Sequence, residues 1–420
     1  MAKFLVKNTG PLKGEVTVSG SKNAVLPIMA ATLLSDDKCI ILDAPDLRDV
    51  DVMCDILRSL GANVEADLNE NKITVNPADL SGSEVDSKLA NRMRASVLTV
   101  GPLLAKIGRA RVARPGGCPI GERPIDLHLK GFEALGAKVV TTDEYVDITA
   151  DKLKGAHIYL DYPSVGATEN IMCAAVLAEG TTTISGVAKE PEIVALANVL
   201  NKMGARVKGA GESTITIRGV KSLHGTEYTV IPDRIEAGTY MIAAAITRGN
   251  VLVKNIVSDY VDPIMSKLSE CGFIVEDTVD GIRVRGDIVG KLSPTSITTL
   301  PYPGFPTDMQ SPFMALLTTI EGKSEVVETV FENRFMHVEE LRRMGADIKL
   351  EGKKAIVYGG KKLTGSQVIS TDLRAGAAMV LAGLTAEGET EISEIYHIER
   401  GYSQFVEKLR GLGAYIERIE

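Results

Sequence analysis

The sequence predicts an α/β chain of two domains, each assembled from three copies of a βαβαββ unit around buried helices. Three observations predict it. A short signature, roughly L-x-x-L/M-G-A-x-V/I, occurs six times, and a strongly apolar segment precedes each copy. The length of 420 residues also exceeds what one hydrophobic core usually serves.

The signature reads ILRSLGANV, GFEALGAKV, VLNKMGARV, KLSECGFIV, ELRRMGADI and KLRGLGAYI, with glycines Gly61, Gly136, Gly204, Gly272, Gly345 and Gly413 spaced 68 to 75 residues apart. In each copy a helical apolar pattern ends at a glycine suited to a left-handed cap, and a strand follows at once. The second segment reads NAVLPIMAATLL, RASVLTVGPLLAKI, TENIMCAAVLAEG, EAGTYMIAAAITRG, DMQSPFMALLTTIEG and RAGAAMVLAGLTAEG. A helix apolar on all sides must be buried inside its domain. Equivalent helices would run the same way, so their N-termini would share one end of each domain and attract anions.

The residues that open these helices carry Lys22, Arg94, Arg234 and Arg374. A cation there opposes the positive helix end, and a ligand anion would relieve the conflict. Taken singly, each reads as a surface salt bridge. Four at equivalent repeat positions point to an anionic substrate. The competing reading is a repeat scaffold without chemistry.

Composition narrows the partners. A formal charge of -8 argues against a general nucleic-acid binder, which needs a basic field. The apolar runs are too short and interrupted to span a bilayer, and MAKFLVKNTG is not a secretory signal. A cytoplasmic protein without nucleic-acid or membrane partners is expected. Five cysteines, Cys39, Cys54, Cys118, Cys173 and Cys271, are odd in number and lack CxxC spacing, against a disulfide framework or a zinc site. Four lie in apolar surroundings and read as small buried hydrophobes. Cys118 differs, because it sits in RPGGCPIGERP, Arg114 to Pro124, where Gly116, Gly117, Gly121, Pro115 and Pro119 favour a loop able to open and shut. The flanking arginines should lower the pKa of its thiol.

The motifs VSGSKNA, MRAS, RPGGCPIGERPIDLH, SVGATENIM, PDRIEAGT, FPTDMQ, ETVFENRFMH, TDLRAG and YHIERGY together resemble the UDP-N-acetylglucosamine enolpyruvyl transferases, or 1-carboxyvinyltransferases, from one end of the chain to the other. The resemblance implies a two-domain inside-out α/β barrel with discontinuous domains. One would be residues 22–232 with the cysteine loop, the other 1–21 plus 233–420, with the active site in the cleft between them. The repeats by themselves favour two contiguous halves. The implied reaction moves the enolpyruvyl group of phosphoenolpyruvate to the 3-hydroxyl of UDP-N-acetylglucosamine and releases phosphate, by addition and elimination through a tetrahedral intermediate. In bacteria this is the first committed step of peptidoglycan synthesis. No metal or cofactor is implied, the partners are the two small-molecule substrates, and a monomer is expected.

The same resemblance distributes roles. Lys22, Arg123 and Arg400 hold the phosphate side of phosphoenolpyruvate, and Arg94, Arg334 and Arg374 complete a cationic wall. Lys22 counts among the catalytic residues, and Asn23 lies near the sugar and the reacting centre. Cys118 acts as proton donor or enters a covalent adduct and product release. Asp308 is the base toward the sugar hydroxyl, although its place in FPTDMQ also suits a helix N-cap. The nucleotide sugar is contacted by Asn23, Arg94, Arg123, Pro124, Ile125, Asp126, Leu127, Ser164, Val165, Gly166, Asp308, Val330 and Phe331. Tyr162 and Pro163 stand where some members carry a lysine beside the diphosphate, leaving Arg94 or Arg123 to supply that charge. DYPSVG is similar to a second version of the enzyme found in Gram-positive bacteria. For His128, packing behind the loop is favoured over tuning of Cys118, and His337 and His397 lack metal-ligand spacing. The rivals are 5-enolpyruvylshikimate-3-phosphate synthase, which lacks the cysteine loop, and a non-catalytic nucleotide-sugar-binding protein.

Overall fold

The six signature glycines all take left-handed backbone, with φ between 92° and 102°. Each ends a helix, and strands Asn63–Asp67, Lys138–Thr141, Val207–Lys208, Ile274–Thr278, Asp347–Glu351 and Tyr415–Ile419 follow directly. This computed structural model describes all residues except 1, 68, 114–119, 121–123 and 288–289. Gly136 has φ +93° and open space where a Cβ would point. Gly136→Ala therefore isolates the backbone strain and should cost about 1–2 kcal/mol of stability. An unchanged urea midpoint would refute this.

The apolar segments form the expected helices: Lys22–Ala31, Val100–Ile107, Val165–Ala175, Arg234–Ile246, Gln310–Thr318 and Leu373–Gly383. Every residue of Arg234–Ile246 and Gln310–Thr318 is buried. Helices buried on all faces cannot form an outer layer.

The strands form mixed sheets, five of four strands and one of three among the described residues. The stretch 157–218 shows the local plan. Strand His157–Tyr159 pairs in parallel with Thr181–Ser185 across the helix Val165–Ala175, and Thr214–Arg218 then pairs antiparallel to Thr181–Ser185. Elsewhere strand partners lie far apart in sequence. Lys13–Thr17 pairs in parallel with Asn250–Lys254, and Lys3–Lys7 runs antiparallel to both Glu389–Ser393 and Tyr415–Ile419. Glu227–Thr229 pairs in parallel with Cys39–Leu42.

These pairings yield two compact units. One gathers the residues up to Ser19 with Pro232–Glu420, and the other gathers nearly all of 20–231. Each has its own core, built on residues such as Met29, Leu103 and Ile171 in one, and Tyr240, Phe313 and Met379 in the other. Among the described residues no helix is long and apolar enough to cross a membrane. The four described cysteines are free and buried, and burial pushes the Cys54 thiol up to about 11 and that of Cys271 to about 12.

Candidate active site

In the unit containing the C-terminal half, three expected residues come together around one carboxylate. Asp308 lies in the 3-10 turn Thr307–Met309 that leads into Gln310–Thr318. Its Oδ1 accepts from Arg334 Nη2 at 2.8 Å, and its Oδ2 accepts from Arg374 Nη2 at 3.1 Å and Nε at 3.3 Å. Both arginine side chains are almost fully buried, while that of Asp308 keeps 26% of its surface. The N-cap role considered for Asp308 does not occur, because neither helical segment here has a side-chain cap. Burial by itself would push its carboxyl up. The two guanidiniums outweigh that effect and hold it far below the usual carboxylate range.

Arg374 is the second residue of Leu373–Gly383, placed there by Asp372, whose side chain caps the helix. Its guanidinium lies 5.2 Å from the Tyr402 ring. Tyr402 Oη lies 2.9 Å from Thr239 Oγ1, which itself donates to the Ile235 carbonyl, so the phenol is the donor to Thr239. Arg334 Nη1 donates to Thr307 Oγ1 at 3.2 Å, and its guanidinium stands 5.3 Å from the Phe331 ring. Arg400 follows the short helix Tyr396–Glu399 in the same unit.

In the other unit, Ser21 caps Lys22–Ala31 and so sets Lys22 and Asn23 in the first turn. Lys22 Nζ is 2.7 Å from Asp49 Oδ2, with both side chains largely buried. Ser164 caps Val165–Ala175, placing Val165 and Gly166 at its start. Pro124 and Ile125 lead into Asp126–Ala134, which opens with Asp126 and Leu127. Arg94 begins the 3-10 helix Arg94–Thr99. Tyr162 is exposed. Cys118 and Arg123 lie outside the described residues.

His128 is buried and links this group. Asn170 Nδ2 contacts both the Val97 carbonyl, at 2.7 Å, and His128 Nδ1, at 3.0 Å, while Asn170 Oδ1 accepts from Gly101 N. That network makes His128 Nδ1 the acceptor and leaves the proton on Nε2. A Cβ on Gly166 would stand 3.2 Å from the imidazole, so the residue at the start of that helix must be small. Burial, reinforced by the Arg94 charge, pushes the imidazole from 6.5 down to about 3. The folded value lies below the unfolded one, so the unfolded chain gains the proton first as pH falls. His128 thus contributes stability that is fully present above about pH 6.5 and is lost as pH falls toward about 3. Between pH 6 and 4, His128→Gln should remove a slope of up to about 1.4 kcal/mol per pH unit. Parallel stability curves for both proteins would contradict this. His337 is also buried, and burial pushes it down to about 4. Among the described residues no group of three His, Cys, Asp or Glu is placed to hold a metal ion.

The sequence matches the EPSP synthase (3-phosphoshikimate 1-carboxyvinyltransferase) family over residues 6–409. It is 57% identical to UDP-N-acetylglucosamine 1-carboxyvinyltransferase 1 of Caldanaerobacter subterraneus subsp. tengcongensis, across 99% of each chain. It is 55% identical to UDP-N-acetylglucosamine 1-carboxyvinyltransferase of Halothermothrix orenii across 100% of both. The chain belongs to the UDP-N-acetylglucosamine 1-carboxyvinyltransferase family. Among solved structures, the enolpyruvyl transferase NikO from Streptomyces tendae superposes with a TM-score of 0.88 at 26% identity, covering 99% of this chain and 98% of that one. EPSP synthase from Acinetobacter baumannii shares the fold, with a TM-score of 0.76 at 21% identity and full coverage of both chains.

Within this 1-carboxyvinyltransferase, the residues that hold the expected site side chains in place are not legible in the sequence. Asp49 answers Lys22, Tyr402 faces Arg374, Thr307 and Glu328 brace the Asp308 turn, and Asn170 orients His128. None carries a local signal. Each is separated from the residue it supports by tens of positions, apart from Thr307, which adjoins Asp308 but reads as a spacer in FPTDMQ.

Proposed function

We propose that this chain transfers the enolpyruvyl group of phosphoenolpyruvate to the 3-hydroxyl of UDP-N-acetylglucosamine and releases phosphate. The observation that carries the assignment of residues is the Asp308 carboxylate clasped by Arg334 and Arg374. The full-length identity to named 1-carboxyvinyltransferases favours this reaction over the shikimate one.

The chemistry follows from charge. Phosphoenolpyruvate brings a phosphate and a carboxylate on a three-carbon frame, and guanidinium forks suit both. Lys22, Arg94, Arg123, Arg334, Arg374 and Arg400 supply the cations, and Asn23 lies beside the reacting centre. Pro124 to Leu127, Ser164 to Gly166 and Val330–Phe331 take the nucleotide sugar. In the addition step the sugar oxygen bonds to C2 of phosphoenolpyruvate, Cys118 gives a proton to C3, and the hydroxyl proton passes to Asp308. In the elimination step the Cys118 thiolate takes a proton back from C3 as the C2–oxygen bond to phosphate breaks, and phosphate leaves with the proton held by Asp308.

A carboxylate held far below its usual range is a weak base. The substrate itself corrects this. Anionic groups that reach Arg334 and Arg374 share the guanidinium charge now spent on Asp308, which raises its proton affinity just when the acceptor is bound.

The fold reading extends in the same direction: each half is an inside-out arrangement of three βαβαββ units, with domains at 22–232 and at 1–21 plus 233–420. Helices buried on nearly every face and six separate mixed or antiparallel sheets among the described residues support this. The enzyme acts as a cytoplasmic monomer in peptidoglycan synthesis. Phosphate release with both substrates tests the assignment. Release with shikimate 3-phosphate but not with UDP-N-acetylglucosamine would replace it with the sibling reaction, and none above background with either would leave a nucleotide-sugar-binding protein.

A further inference from the structure

One buried carboxylate in the C-terminal unit joins parts of the site that the reaction scheme treats separately. Glu328 is 2% exposed and directly follows strand Gly322–Val327. Its Oε1 accepts from Thr299 Oγ1 at 2.8 Å, from the Val330 amide at 2.8 Å and from the Phe331 amide at 3.2 Å. Its Oε2 accepts from Thr307 Oγ1 at 2.9 Å. Four donors thus reach the carboxylate, three sharing Oε1 and one at Oε2. The Thr307 hydroxyl has one proton, which goes to Glu328, so its lone pair is free to receive Arg334 Nη1. The neighbouring Nη2 of Arg334 holds Asp308.

We propose that Glu328 is a positioning residue that sets two things at once, the Val330–Phe331 segment and, through Thr307, the Arg334–Asp308 pair. This rests on the reading that Asp308 is the base and that Val330 and Phe331 face the nucleotide sugar. A carboxylate that only braced a turn would need the two amides and Thr299. The fourth bond, to Thr307, reaches the residue that precedes the base and orients the guanidinium that clasps it. Glu328 touches no reacting atom in this scheme and acts by fixing the geometry of residues that do.

Single-atom changes separate the two arms. In Glu328→Gln the amide oxygen can still serve Thr299, Val330 and Phe331, but the NH2 group now faces Thr307 Oγ1. That oxygen must then accept from both the amide and Arg334, and its own proton loses its acceptor. Glu328→Gln should therefore lower kcat about tenfold while KM for UDP-N-acetylglucosamine stays within about twofold, since small displacements of catalytic groups act on rate. Thr307→Val should reproduce the kcat loss, Thr307→Ser should restore it, and the double variant Glu328→Gln/Thr307→Val should lose no more than either alone. Glu328→Ala, which also strips the amides of their acceptor, should raise KM as well.

Steady-state kinetics on variants with wild-type melting profiles test this, with Asp308→Asn run alongside. If Asp308→Asn is inactive while Glu328→Gln keeps wild-type kcat, or if the double variant shows independent losses, the positioning role fails and the assignment of the base stands. If Asp308→Asn retains wild-type turnover, both fail. Should Glu328→Ala not fold, the Gln and Thr307 variants still decide the matter.

Discussion

Asp308→Asn should lower kcat by about a thousandfold and leave the affinity for phosphoenolpyruvate intact or improved. The loss follows from removing the base, a contribution of about 10²–10⁴ in rate. The retained affinity follows from the geometry. Asp308 occupies one nitrogen of Arg334 and two of Arg374, so the neutral amide returns those donors and their charge to the substrate. An ordinary binding residue would behave the other way, losing affinity with turnover. The variant should also be less stable, by about 2 kcal/mol. That is below the 3–5 kcal/mol for breaking a fully buried pair, because the Asp308 side chain keeps 26% of its surface and an amide still accepts one bond. Steady-state kinetics and calorimetric titration with phosphoenolpyruvate check both halves. A kcat within tenfold of wild type would remove Asp308 from the mechanism, and weaker binding of phosphoenolpyruvate would remove the competition between it and the carboxylate.

What could be read from the sequence was whatever repeats locally. A glycine after an apolar helix needs only its immediate neighbours to be recognised, and all six take the left-handed backbone that reading requires. Helices apolar on every side announce their own burial, as Arg234–Ile246 does. Pairing partners do not announce themselves. Nothing in KGEVT indicates that Lys13–Thr17 adds to a sheet with Asn250–Lys254, because a strand carries its period and not the address of its neighbour. The same limit governed the site. By sequence, cations at helix starts await a ligand anion, yet Lys22 is already answered by Asp49, and Arg374 by Asp308. The sequence shows the positive charges and not their internal counter-charges, which come from another element in each case. That omission matters chemically. In the proposed reaction, a substrate entering such a site would displace a carboxylate from its arginines, and that carboxylate is the group proposed to take the proton.

Cys118→Ala should abolish both turnover and covalent labelling by fosfomycin, a small anionic epoxide, whereas Cys118→Asp should keep measurable turnover without labelling. Cys39, Cys54, Cys173 and Cys271 are buried, and burial raises the pKa of every one, Cys54 to about 11 and Cys271 to about 12. At neutral pH they present almost no thiolate, which is the form that opens an epoxide. Cys118 stands in a different environment by sequence, between Arg114 and Arg123, where neighbouring cations favour the thiolate. In labelling, its sulfur bonds to an epoxide carbon as the carbon–oxygen bond breaks, and the resulting alkoxide takes up a proton. One label per chain is therefore expected in the wild type and none in either variant. The difference in turnover comes from acid chemistry, because an aspartic acid can still protonate C3 of phosphoenolpyruvate while alanine cannot. Mass spectrometry of the intact protein counts the label, and phosphate release measures turnover. Labelling that survives in Cys118→Ala would move the reactive thiol to one of the buried four, and full turnover in that variant would require another proton donor.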